Sequence, residues 1–195
     1  MNRGKLICLF LFFTVIFGSG GFDNGTATGR GKLQLDLTWN PFDKIEFGQT
    51  YVIGSYGITD RFDFHGYISR HPGPYYTWYG GLFYQFYKSK KLDLASAVGI
   101  RKRFDEKGAH IFAPQLLYTG KITDKICIGG SVLNIRNYES SENYGLAFDI
   151  SLGYKIPFQS EKVESISINF GGFHPATWEP DTYFLPTYSI DIKFK

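Results

Sequence analysis

The chain has 195 residues, 21 Lys and Arg against 18 Asp and Glu, two cysteines, and an aromatic content of 18%. That length suits one domain, and the near-balanced charge argues against a nucleic-acid partner, which calls for a strongly basic face. Beyond the first twenty residues no apolar run reaches the roughly 18 residues of a helical membrane span, so any crossing must be made by strands.

Arg3 and Lys5 precede an apolar run from Leu6 to Phe17, broken only by Thr14 and followed by Gly18, Ser19, Gly20 and Gly21. A basic start, a short apolar core and small residues define a secretory signal peptide, placed at 1–20. Cys8 lies at the front of that core, away from a lipoprotein position. Without Arg3 and Lys5 the chain keeps 19 basic residues against 18 acidic, and Cys127 as its one thiol, read as a small strand residue. Residues 21–31 are rich in Gly, Thr and Asn and read as a flexible leader, with one domain over 32–195.

Ten strands follow. The first, 32–39, sets Leu33, Leu35, Leu37 and Trp39 against Gln34, Asp36 and Thr38. The second is 45–57 and ends at the turn Ile58-Thr59-Asp60-Arg61. The third, 62–70, carries Asp63, His65, Tyr67 and Ser69 on one face and is stopped by His71-Pro72-Gly73-Pro74. The fourth, 75–87, is strongly aromatic. The fifth, 92–104, opposes Leu92, Leu94, Val98 and Ile100 to Asp93, Ala95, Ala97, Gly99, Arg101 and Arg103. The sixth, 110–119, contains Pro114, which cannot donate to a ladder and predicts a bulge. Ile122-Thr123-Asp124-Lys125 turns the chain into the seventh, 126–137. The eighth, 144–156, alternates most clearly: Tyr144, Leu146, Phe148, Ile150, Leu152, Tyr154 and Ile156 face Gly145, Ala147, Asp149, Ser151, Gly153 and Lys155 across the strand. The ninth is 165–173. The tenth, 183–194, sets Tyr188, Ile190, Ile192 and Phe194 against Ser189, Asp191 and Lys193, with Pro186 weakening its first turn of ladder.

Strands of this length match the 9–11 residues that cross a bilayer at a tilt. An even count puts both termini on one side, with short turns after strands two, four, six and eight. Aromatic residues then sort to two ends, Trp39, Trp78 and Trp178 to the outer rim and Tyr56, Tyr118, Tyr154 and Phe194 to the inner, as two membrane girdles would require.

With the signal peptide, the hairpin Tyr56-Gly57-Ile58-Thr59-Asp60-Arg61-Phe62-Asp63 and an alternating last strand ending in an aromatic, the chain resembles small bacterial outer-membrane β-barrel proteins over 32–195. The expected fold is all-β, a single antiparallel up-and-down transmembrane barrel of ten strands, or eight if strands two and six are misread. The resemblance implies an outer-membrane location, lipid around the barrel and the barrel-assembly machinery as a partner during biogenesis. It departs from the class in one place, since Phe194 is followed by Lys195.

Apolar faces turned to lipid put Asp36, Asp63, His65, Asp93, Arg101, Arg103, Asp149, Lys155, Asp191 and Lys193 in the lumen. A ten-stranded barrel is little wider than one whose interior side chains just fill it. The lumen is therefore either a plugged, ion-paired core or a narrow passage for a small solute, and in neither case an enzyme. Two alternatives belong to other classes. One is a lipid-modifying hydrolase built on Ser69 and His71, which share a face but run in the reverse order of the His-x-Ser pair of outer-membrane lipid A deacylases. The other is a soluble lipocalin-like ligand binder, in which the apolar face would point inward. Four scattered histidines at no metal-ligand spacing, and no nucleotide motif, imply neither metal nor cofactor.

Overall fold

The computed structural model describes residues 24–41, 49–71, 75–137, 143–158, 160–174 and 185–195. The expected signal peptide at 1–20 and Trp178 lie outside them. Ten strands form: β1 (Leu33–Asn40), β2 (Gln49–Gly57), β3 (Phe62–Arg70), β4 (Tyr76–Lys88), β5 (Leu92–Arg103), β6 (His110–Lys121), β7 (Ile126–Asn137), β8 (Asn143–Ile156), β9 (Val163–His174) and β10 (Leu185–Phe194). Each pairs antiparallel with its neighbours in sequence, and β1 pairs with β10 from Gln34↔Lys193 to Trp39↔Tyr188, which closes the sheet. The barrel therefore has ten strands, not eight, and no free edge.

The period-two pattern decides which way each side chain points. Along β3, Asp63, His65 and Ser69 are buried, whereas Phe64 is 53% and Ile68 56% exposed. Along β8, Ala147, Asp149 and Ser151 are buried while Leu146 is 57% and Leu152 52% exposed. The exposed face is apolar and the buried face largely polar, the inverse of a soluble barrel. A soluble protein rarely exposes an apolar patch beyond a few hundred Å², so the lipocalin-like alternative fails on this arrangement.

Pro114 produces the expected irregularity. Ala97 pairs with Gln115 and Gly99 with Phe112, so Ala113 and Pro114 together oppose Val98. The same two residues break the β6–β7 register. The extra residue keeps Phe112 and Gln115 both pointing inward. Pro186 is tolerated at the second position of β10, opposite Gly172.

The four turns at the end carrying both termini, the inner end, share one construction. Thr59 Oγ1 accepts from the backbone N–H of Arg61 (3.2 Å) and Phe62 (2.9 Å). Thr123 Oγ1 does the same for Lys125 and Ile126, Ser89 Oγ for Lys91 and Leu92, and Ser160 Oγ for Lys162 and Val163. A hydroxyl at the turn's start satisfies donors that the ladder leaves over.

One segment departs from its sequence-based expectation. Residues 24–31, part of the stretch expected to be a flexible leader, fold back from β1 into the barrel, where Gly25, Ala27 and Thr28 are buried. Their backbone donors find side-chain acceptors on the inner wall, which holds the segment in place.

Candidate functional site: the barrel lumen

The lumen is layered from inner to outer end. At the inner end, residues 24–31 run along the wall across successive strands. Gly25 N donates to Thr119 Oγ1 on β6 (2.9 Å), Thr26 Oγ1 to Asp93 Oδ2 on β5 (2.8 Å), Ala27 N to Gln85 Oε1 on β4 (3.3 Å), and Thr28 N to Asp63 Oδ2 on β3 (2.7 Å). Gly31 N then reaches Gly57 O on β2 (2.8 Å). A cavity of about 220 Å³ lies between Asn24 and Thr26 of this belt and a wall that includes Lys155, Lys193, Glu164, Asp191, Asn169 and Cys127. Lys32 and Lys193 both pair with Glu164 at its rim.

Most of the acids expected in the lumen lie between this inner end and the barrel's middle. Asp36, Asp63, Asp93 and Asp149 are buried. Asp93 pairs with Lys121 at 2.7 Å. The other carboxylates are met by hydroxyls and amides: Thr38 Oγ1 donates to Asp36, Ser131 Oγ to Asp149 Oδ2 (3.0 Å), and Ser189 Oγ to Asp191 Oδ1 (3.0 Å). A small pocket of about 40 Å³ lies between Asp36, Asp63, His65 and Ser55. It has room for a few waters, and Asp63 Oδ1, which has no hydrogen-bond partner among the described residues, is buried beside it.

Above this an aromatic layer crosses the barrel. Tyr79 donates or accepts at His65 Nε2 (3.0 Å), stacks on Tyr67 at 5.3 Å and lies 5.4 Å from Phe112. Tyr51 meets Tyr67 edge-on at 5.2 Å. Leu133 packs beneath with no exposure. The glycines Gly81 and Gly99 leave the space that the Tyr79 ring fills.

The outer mouth is basic and aromatic. Arg103 sits 4.1 Å over the Tyr75 ring, which stacks on His71 at 4.5 Å. Arg101 lies on the inward face between Tyr79 and His110 in the ladder. Burial, then the Arg101 and Arg103 charges, push His71, beyond the end of β3, down to about 3. Arg103 forks onto Asp105 (3.0 and 2.7 Å) and holds that loop carboxyl below its ordinary range.

Ser69 and His71 do meet, with Oγ 2.9 Å from Nε2. Gln49 Nε2 lies 2.8 Å from the remaining ring nitrogen, Nδ1, the position from which a third group orients a catalytic base. Ser69 is 1% exposed, faces the lumen and also touches Thr77 Oγ1. The pair makes the hydrogen bond that the hydrolase alternative calls for, inside a buried cluster with Gln49 and Thr77.

Of the other sequence-derived positions, Lys155 and Lys193 stand at the inner rim, and Asp191 lies deeper in the cavity they border. Trp39 stacks on Tyr188 at 5.7 Å. Tyr56 and Tyr154 are exposed near the inner end, Trp78 and Phe194 half-buried. The Tyr118 ring lies over Gly130, its hydroxyl buried. Sequence reasoning missed Gln85, Gln115, Thr119, Ser131 and Asn169, all buried. Their signal was a polar residue at an inward position of a strand whose outward face is apolar.

No protein-family model matches the sequence, and no curated protein matches it either. Among solved structures, a KdgM porin in complex with disordered oligogalacturonate aligns with a TM-score of 0.51 at 7% identity, over 83% of this chain and 98% of that one. A second KdgM porin structure aligns with a TM-score of 0.49 at the same identity and coverage.

The chain has the fold of a porin-like outer-membrane β-barrel.

At 7% identity the likeness is one of fold, so the lumen must be read from its own residues. The interior is largely polar and the exterior apolar, as in a transmembrane barrel.

Proposed function

We propose that the protein sits in the outer membrane and passes a small, polar, anionic solute of sugar size through its lumen. The observation that carries this reading is the outer mouth, where Arg101 stands beside Tyr79 of the stacked Tyr67–Tyr79 pair and Arg103, held by Asp105 and Glu106, packs on Tyr75. Guanidinium groups bind carboxylates, and tyrosine rings stack on the apolar faces of sugar rings. The oligogalacturonate held by the porin of similar fold is a solute of that chemistry. On this reading Asp36, Asp63, His65, Asp93, Asp149, Asp191, Lys155 and Lys193 line the path beyond the mouth. Outer-membrane lipid meets the exposed Leu, Ile and Phe side chains, Trp39 and Trp78 mark the outer interface, and Tyr56 and Tyr154 mark the inner one. The alternating β10, ending at Phe194, is what the assembly machinery would read. No catalytic step is assigned. The test is single-channel conductance in planar bilayers, with galacturonate oligomers added on the side of the Arg101 mouth. Blockade by the acidic oligomer that weakens in Arg101→Gln supports the reading. Conductance that ignores the oligomer overturns the choice of solute.

A further inference from the structure

The belt of residues 24–31 has features that solute passage alone does not call for. It advances one residue per strand over four strands, from Gly25 on β6 to Thr28 on β3. Strands in the wall are about 4.8 Å apart and an extended chain advances about 3.3–3.6 Å per residue. The two match only because the circle inside the wall is shorter than the wall. The contact is backbone against backbone. A Cβ on Gly25 would come within 2.6 Å of Asp93 O and 2.8 Å of Tyr118 Cα, and a Cβ on Gly57 would strike Gly29 O. One glycine belongs to the belt and the other to the wall, so both sides are shaped for the contact. Ala27, Thr28 and Thr26 are small enough to leave the lumen beside them open. Ala27 makes the belt's apolar contact, against Phe83, Ala95, Ala97 and Leu117. The rest of the attachment is hydrogen bonds to Thr119, Asp93, Gln85 and Asp63, acceptors that release of the belt would open to water.

From this we infer that the inner wall carries a binding track for an extended peptide of small residues, running past Asp63, Gln85, Asp93 and Thr119. The chain's own residues 24–28 occupy it, and their release widens the inner mouth. The widening rests on the passage reading above; the track does not. Cys127 lines the same cavity as Asn24 and Thr26 and reports on the opening.

The experiment compares the full chain with Gly25→Val, which strikes the wall from the belt side, and with a deletion of residues 24–28. Each is checked for a folded barrel by its gel mobility before boiling. Bilayer conductance and the rate of Cys127 modification by a charged thiol reagent are measured with and without the synthetic peptide Asn-Gly-Thr-Ala-Thr-Gly. Both variants are expected to conduct several-fold more than the full chain and to react faster at Cys127. The peptide should reverse both effects in the deletion variant, and the same peptide with valine in place of its first glycine should not. Folded variants that match the full chain in both readouts, or a peptide without effect, overturn the inference. Faster, peptide-reversible labelling with no conductance in any variant upholds the track and overturns solute passage.

Discussion

Thr28 N donates to Asp63 Oδ2 across 2.7 Å and 35 residues of sequence, tying the segment before β1 to the start of β3. The second carboxylate oxygen of Asp63 has no hydrogen-bond partner among the described residues. Thr28, through its backbone N–H and its side chain, therefore carries much of the acid's compensation inside the barrel. Thr28→Pro removes the donor and is expected to cost about 1–3 kcal/mol, the range for leaving a buried polar group unmet. Urea unfolding in lipid vesicles reads it as a lower midpoint at unchanged slope. A midpoint equal to that of the unaltered chain would mean that water replaces Thr28 at no cost.

The inner turns offer a more local test. Thr59 and Thr123 each accept two backbone N–H groups in turns of nearly identical sequence. Thr59→Ala and Thr123→Ala should each lose about 0.5–1.5 kcal/mol, a net hydrogen bond's worth at a wet site. The turns lie in separate hairpins, so the double variant should show the sum. A clear excess over the sum would indicate that the turns are coupled through the barrel.

Much of the fold was legible because strand period and turn chemistry are local. The alternation in 144–156 already fixed which side chains of β8 share a face, and the repeated Ile-Thr-Asp-basic turns marked one rim. Pro114 announced its bulge because a missing donor has a consequence wherever it falls. The belt was illegible for the opposite reason. Gly, Thr and Ala say nothing about where a segment goes, and its acceptors Asp63, Gln85, Asp93 and Thr119 come from four different strands. The aromatic layer was hidden too, since Tyr79 and Phe112 look like lipid-facing residues until the register turns them inward. Ser69 and His71 share the face expected of them, but their burial is a property of the closed barrel and not of the strand.

Tyr79 gives a way to test that inward layer. Its ring occupies the space a side chain at Gly99 would need, with a Cβ there falling 2.4 Å from the ring. Gly99→Val should displace Tyr79 from His65 and cost about 1–3 kcal/mol through overpacking. Adding Tyr79→Ala should recover part of that loss, because the two changes share one space. Equal penalties with and without Tyr79, measured by unfolding midpoint, would place the ring elsewhere.

Phe148 points outward from mid-β8, stacked on His174 at 4.4 Å, while its neighbour Asp149 is buried. Phe148→Arg puts a charge on the exposed apolar face and should impair insertion by about 2–4 kcal/mol if that face meets the middle of the bilayer. Folding yield into vesicles measures it. Unimpaired insertion would contradict the orientation of this face toward lipid.

The most direct measurement of the central claim, a closed barrel with its apolar face in the outer membrane, is gel mobility of the protein from fractionated cell envelopes, unboiled and boiled. The account predicts that the protein is found in the outer-membrane fraction and shifts in mobility on boiling. A soluble periplasmic protein with no shift would contradict it.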